Sequence, residues 1–199
     1  MRYFTSGIGD ERLGLIAARS VRSVLVDLVD LPNVIRLFIP QQIAIDSGAY
    51  RMFKDPTRQG QPPTDDEAQA YIRHLNSYAA QFEMVMALDA IGDPARTLAL
   101  YKAHFRDARG TLFTPVYQWG APERDLEYYL RWAPTRCFSS GYTPSMADIV
   151  ALGGLAPLLR GGHNEKAPAR KKELDALRDR TIDEVEALCQ RYPRRFHLL

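Results

Sequence analysis

The sequence has few of the residues that build disulfide-linked or zinc-stabilised scaffolds. Among 199 residues there are two cysteines, Cys137 and Cys189, and four histidines. The cysteines are far apart and neither belongs to a Cys-x-x-Cys pair, so the sequence predicts neither a disulfide framework nor a structural zinc site. Folding is therefore expected to rest on the apolar residues, which make up 46% of the chain.

The sequence also lacks a charge excess and a long apolar run. The formal net charge is only +2, which gives no general attraction to nucleic acid or to acidic membranes. No apolar run approaches the roughly 20 residues that span a bilayer. Residues 1–10 have neither the basic nor the apolar region of a signal peptide. We therefore expect a cytoplasmic protein without a membrane partner.

Short apolar runs alternate with helical patterns along the chain. Six runs are predicted to be strands, at residues 23–29, 43–45, 84–88, 112–117, 149–152 and 196–199. Between them, Thr64 followed by Glu67 is a capping box, which predicts a helix start. A charged amphipathic pattern predicts a second, long helix over residues 169–192. Strands separated by helices are typical of parallel βαβ units.

This alternation predicts one α/β domain over residues 1–199, a barrel of the (β/α)8 type. About six strands are counted, fewer than the eight that close such a barrel. The sequence also ends on an apolar strand with no helix after it. We therefore expect an incomplete barrel, whose open edge is covered by a second copy of the chain or by a partner chain.

Polar residues and glycines follow four of the predicted strands. The stretch Asp46-Ser47-Gly48-Ala49-Tyr50 follows the second strand, and Asp89 follows the third. Gln118 and the pair Gly153-Gly154 come at the ends of the next two. Because α/β barrels present catalytic groups at the carboxyl ends of their strands, these residues are expected to share one pocket.

The chemistry of these side chains suits a guanine-like base. Asp89 can accept hydrogen bonds from N1 and N2 together, and the Gln118 amide can donate to O6 or N7. The backbone at Gly153-Gly154 can approach the flat ring closely because no Cβ intervenes, and Tyr50 or Trp119 can stack on it. Asp46 can act as general acid/base, with a pKa set by burial and by Asp89.

Five elements, in order along the chain, resemble the tRNA-guanine transglycosylases and the related enzymes that insert 7-deazaguanines into DNA. They are Asp46-Ser47-Gly48-Ala49-Tyr50, Leu88-Asp89, Pro115-Val116-Tyr117-Gln118-Trp119-Gly120, Ala151-Leu152-Gly153-Gly154-Leu155 and His197-Leu198-Leu199. The first is similar to the family's Asp-Ser-Gly-Gly-Phe, with Ala49 in place of the second glycine and Tyr50 in place of the phenylalanine. Together the elements cover most of residues 43–199.

The resemblance implies an enzyme that replaces guanine in DNA or tRNA with a 7-deazaguanine by an aspartate-dependent glycosyl transfer. It implies that Asp46 is catalytic. The residues it implies for substrate binding are Ser47, Gly48, Asp89, Gln118, Gly153 and Gly154. The family's nucleophilic aspartate and its zinc site lie beyond the His-Leu element, so no position here matches them. No cofactor is therefore expected, and the DNA-acting branch is favoured.

Other functions fit the same residues. One is a different barrel enzyme, a glycosidase or lyase that uses Asp46 and Asp89 as a carboxylate pair. Another is a non-enzymatic protein that binds a base or a partner chain with its open barrel edge. Asp-Ser-Gly is also common as a turn or helix cap, since aspartate and serine both bond to local backbone. Gly153-Gly154 also fits a tight turn.

Overall fold

The computed structural model describes residues 23–29, 31–32, 42–58, 60–78, 82, 84–132, 150–155, 166–192 and 196–198. The strands are β1 (Ser23–Asp27), β2 (Gln42–Asp46), β3 (Met84–Val85), β4 (Val116–Gln118), β5 (Val150–Gly153) and β6 (Phe196–Leu198). The α-helices are α1 (Ala49–Lys54), α2 (Asp65–Asn76), α3 (Pro94–Leu100), α4 (Glu123–Trp132) and α5 (Pro168–Arg191). Each predicted strand overlaps an observed one.

Local side-chain contacts start two of the helices. Thr64 accepts from the Glu67 N–H at 3.2 Å, and the Glu67 carboxylate accepts from the Thr64 N–H at 2.7 Å. This capping box satisfies two backbone donors at the start of α2 and confirms the prediction at Thr64. Asp93 caps α3 in the same way, accepting from the Arg96 N–H at 2.9 Å.

All of the strand pairs are parallel. The described residues form two three-stranded sheets, with strand orders β1-β2-β3 and β4-β5-β6. A single parallel bridge between Met86 and Thr114 joins them: the Thr114 N–H donates to the Val85 carbonyl at 2.7 Å, and the Ala87 N–H donates to the Thr114 carbonyl at 2.8 Å. The carboxyl ends of the strands therefore lie along one edge.

The predicted (β/α)8 barrel, complete or incomplete, is wrong. Among the described residues, β1 pairs with no strand besides β2, and β6 pairs with none besides β5. The fold is mixed α/β with two short open sheets. The alternation of apolar runs with helical patterns predicts parallel βαβ units. Closure of a sheet into a barrel also requires a consistent strand number, tilt and stagger, and this alternation does not encode them.

The core lies on both faces of the strands. Ile43 and Ile45 of β2 face the main apolar cluster, which the helices cover, and Ala44 between them faces a smaller one. That smaller cluster consists of Ala44, Met84, Met86, Val116 and Ala151. Because successive side chains of a strand point to opposite faces, strands covered on both sides are continuously apolar, as these are.

The long helix α5 packs through few residues. Thr181 and Val185 are its buried side chains, and Cys189 on the same helix is a free thiol. Cys137 lies outside the described residues. None of the helices in the described parts of the chain combines the length and the apolar character needed to cross a membrane.

Candidate functional site

The structure brings together four of the predicted site residues around the carboxylate of Asp89. Asp89 follows β3 and is 3% exposed. The Ser47 hydroxyl, just after β2, donates to Asp89 Oδ1 at 2.7 Å, and Gln118 Nε2, at the end of β4, donates to Asp89 Oδ2. Gly153 of β5 is paired in register with Gln118. We call Ser47, Asp89 and Gln118 the carboxylate cluster.

Two glycines leave room for the Gln118 amide, because a side chain at either position would contact it. A Cβ on Gly153 would lie 3.0 Å from Gln118 Nε2 and 2.8 Å from Val116 Cγ1. A Cβ on Gly154 would lie 3.0 Å from Gln118 Oε1, and its φ of +78° is in the left-handed region that favours glycine. The Gln118 side chain therefore approaches both glycines closely, and Val116 also approaches Gly153.

The environment of Asp89 favours its protonated form. The pKa of Asp89 is raised to about 6: burial is the largest cause, the hydrogen bond from Ser47 works in the opposite direction, and the negative charge of Asp46 also raises the pKa. A carboxyl group of this kind changes its protonation state near neutral pH, in the range where acid–base chemistry and ligand binding take place.

Asp46, which precedes Ser47 in the chain, borders an open cleft of about 730 Å³ at the ends of β1 and β2, and no residue of the carboxylate cluster lines this cleft. It is partly buried, and burial is the main cause that raises its pKa, followed by the negative charge of Asp27. Hydrogen bonds from the backbone of Gly48 and Ser47 act in the opposite direction. A carboxyl group that keeps its proton to higher pH and borders a cleft suits general acid/base chemistry.

Asp27 is a site residue that the sequence interpretation missed. It ends β1 and is paired in register with Asp46. Its carboxylate accepts from the Val29 N–H at 3.0 Å and forms an ion pair with Arg51, 3.1 Å from Nε. The signal was present, because Asp27 is an acid at the end of the apolar run Val24-Leu25-Val26, the same pattern that singled out Asp46 and Asp89.

Helix α1 forms the outer side of the cleft. Gly48, with φ +72°, turns the chain from the end of β2 into α1, and a Cβ there would lie 3.4 Å from both oxygens of Asp27. Tyr50 lines the cleft and is 39% exposed, with the Lys54 ammonium 4.4 Å from its ring centroid. Trp119, the other predicted stacking residue, packs partly buried against the core.

No metal ligand set is apparent in the part of the chain that the structure describes, where no group of three or more histidine, cysteine, aspartate or glutamate side chains is placed to hold an ion. Comparison of the chain with family models, with curated proteins and with solved structures finds no match. The function therefore has to be inferred from the residues at the strand ends.

Proposed function

We propose that this chain binds a guanine-type base at the carboxyl ends of β2 to β5, and that it takes part in exchanging guanine in nucleic acid for a 7-deazaguanine. The observation that carries the proposal is the carboxylate cluster. It combines a buried carboxylate, an amide and a hydroxyl beside two glycines. A guanine edge requires an acceptor facing N1 and N2 and a donor facing O6, which Asp89 and Gln118 supply.

Without a base, the cluster satisfies its own hydrogen bonds. Both oxygens of Asp89 accept from protein side chains. In the proposed complex, the N1–H and N2–H of the base take the place of the Gln118 amide at Asp89, and that amide turns to donate to O6. Asp89 then accepts from Ser47 and from both N–H groups of the base, while the Gln118 amide donates to O6, so no buried polar group is left unpaired.

The proposed roles of Asp46 and Tyr50 follow from the cleft. Base exchange breaks the bond between C1′ of the sugar and N9 of guanine and forms one between C1′ and N9 of the 7-deazaguanine, so the leaving base takes up a proton and the entering base gives one up. Asp46 borders the cleft and holds a proton to higher pH than an ordinary aspartate, which suits it to carry this proton. Tyr50 at the rim stacks on the base.

The alternative of a glycosidase or lyase with Asp46 and Asp89 as its carboxylate pair has less support. Asp89 is not among the residues that line the cleft bordered by Asp46. A catalytic pair needs both carboxylates to face the sugar from opposite sides. The carboxylates that share the cleft with Asp46 are those of Asp27 and Asp55.

Isothermal titration calorimetry with guanine and with 7-cyano-7-deazaguanine tests the proposal. We expect saturable binding by the wild-type chain that is lost in Asp89→Ala and weakened in the isosteric Asp89→Asn, with circular dichroism establishing that each variant is folded. Asp66→Ala, which removes an exposed carboxylate on α2, is the matched control and is expected to bind as the wild type does. A folded wild-type chain that binds neither base would overturn the proposal.

A further inference from the structure

Helix α1 turns an unusually apolar face to solvent. Ala49 is buried and Met52 packs against the core, whereas Tyr50 and Phe53 are 39% and 46% exposed. The described residues include four exposed large apolar side chains, and this six-residue helix carries two of them. A spacing of three residues puts Tyr50 and Phe53 on one side of the helix. We call Tyr50, Phe53 and Lys54 the α1 surface.

A third exposed apolar residue lies close to this surface. Val29, in the turn after β1, is 63% exposed. Its N–H and the Arg51 guanidinium contact the same carboxylate, that of Asp27, which places the β1 turn beside α1. Apolar side chains that gather at the rim of a cleft, rather than scattering singly over a surface, indicate a binding site.

The charges at this rim are nearly balanced. Arg51 is paired with Asp27, and Arg58 binds the Glu67 carboxylate that caps α2. The cation that belongs to the α1 surface itself is Lys54, over the Tyr50 ring. A ligand held here therefore depends mainly on contact with the aromatic rings, and only secondarily on attraction to a cation.

Aromatic rings interleaved with a cation suit single-stranded nucleic acid. Unpaired bases stack on exposed aromatic side chains, at about 1–3 kcal/mol per base, while a nearby cation contacts the phosphate backbone. The bases of a duplex are already stacked on one another and present only their edges and the backbone.

Resting on the proposed function, we infer that the α1 surface holds a single-stranded stretch of the nucleic acid next to the nucleotide whose base is exchanged. Tyr50 faces that base, Phe53 stacks on the neighbouring base, and Lys54 contacts the phosphate between them. Six helical residues span about 9 Å, which matches one or two nucleotides. Because α1 begins three residues after Asp46, the two sites are continuous.

Fluorescence anisotropy with short labelled single strands of DNA and RNA, and with the corresponding duplexes, tests this inference. We expect Phe53→Ala to weaken single-strand binding by roughly five- to a hundredfold, as the loss of one stacked base implies. Lys54→Ala should reduce the slope of log K against log salt by about 0.7, the value for one phosphate contact on a single strand. The DNA and RNA arms show which strand is preferred.

The chain offers matched controls for both substitutions. Lys102, whose ammonium lies 4.5 Å from the Tyr128 ring centroid, forms the same cation–π pair as Lys54 at a different place. Ile182 on α5 is an apolar side chain with 39% exposure, similar to that of Phe53. Lys102→Ala and Ile182→Ala are expected to bind single strands as the wild type does.

Three results would overturn the inference. The first is single-strand binding that is unchanged in Phe53→Ala, and the second is duplex binding as tight as single-strand binding. The third is a wild-type dimer in light scattering that becomes a monomer in Phe53→Ala while strand binding is retained. Calorimetry with guanine separates this inference from the proposed function. Phe53→Ala should leave guanine binding intact, whereas Asp89→Ala abolishes it. A chain that binds no guanine, but binds single strands through Phe53, would overturn the proposed function and leave the α1 surface supported.

Discussion

Asp27 and Asp46 occupy paired positions at the ends of two neighbouring parallel strands, and both carboxylates line one cleft. Parallel pairing brings the two side chains to the same sheet edge, so the negative charge of Asp27 adds to burial in raising the pKa of Asp46. The other ionisable groups that line this cleft are those of Tyr50, Arg51, Lys54, Asp55 and Arg58. Asp89 and Tyr71 are coupled to Asp46 from the interior.

The first prediction concerns this pair. Replacing Asp27 by asparagine removes a negative charge beside Asp46, so the pKa of Asp46 should fall. Titration of the carboxyl carbons by NMR measures this shift directly. Asp55→Asn is the control, because Asp55 lines the same cleft but is held by Thr57 through its N–H at 2.8 Å and its hydroxyl at 2.7 Å. An Asp46 midpoint that stays unchanged in Asp27→Asn, or moves equally in both variants, would show that Asp27 does not act on Asp46.

The second prediction is a pH dependence of stability caused by Asp89. Its pKa of about 6 in the folded chain exceeds the ordinary value of 3.8, so folding disfavours the ionised form. The cost is absent below the ordinary pKa, grows as the pH rises from 3.8 to about 6, and is then constant. The free energy of unfolding should therefore fall by on the order of 3 kcal/mol across this range relative to Asp89→Asn, since one pKa unit corresponds to about 1.4 kcal/mol.

Urea unfolding of both proteins at a series of pH values measures this difference. Glu67 affects the pH dependence of stability in the opposite direction, because Arg58 lowers its pKa from 4.5 to about 2. This contribution is present in both proteins and cancels in the difference between them. It also acts in a lower range, since the stability from Glu67 is lost as the pH falls from 4.5 towards 2. A difference between the two proteins that does not vary with pH would contradict the prediction.

The third prediction concerns crowding at Gly153. A methyl group there would lie 2.8 Å from Val116 Cγ1 and 3.0 Å from Gln118 Nε2, so Gly153→Ala should destabilise the fold by about 1–3 kcal/mol. It should also weaken guanine binding by displacing Gln118. Val116→Ala removes the closest clashing atom. The double variant should therefore lose less stability than the sum of the losses in the two single variants. Additive losses in chemical denaturation would mean that the two side chains do not clash.

The fourth prediction concerns the capping box of α2. Thr64→Ala removes the acceptor of the Glu67 N–H, and we expect a loss of about 1 kcal/mol in the free energy of unfolding. Gln69→Ala, at an exposed position in the same helix, should change stability by less than about 0.5 kcal/mol. Equal stabilities of the two variants in chemical denaturation would contradict a stabilising cap.

The sequence alone was sufficient to place most of the described secondary structure and to place Asp46, Asp89, Gln118 and Gly153 at or after the ends of strands. The cap at Thr64 depends on contacts within a few residues. The strand that ends in Asp46 and the parallel direction of the strands follow from hydrophobic periodicity. Local contacts and periodicity can both be recognised in one stretch of chain. The same pattern was present at Asp27. That residue was overlooked because the predicted strand continued to Val29, which placed Asp27 inside the strand, whereas β1 ends at Asp27.

The tertiary structure decided what those residues contact. Asp89 and Gln118, 29 residues apart, bond to each other, and Asp27 rather than Asp89 shares the cleft with Asp46. It also decided that the described strands form two open sheets and not a barrel. The physical reason is the same in each case. Local patterns determine which residues form a strand and where it ends, whereas strand register, sheet closure and the partners of a buried side chain depend on how distant segments pack against one another.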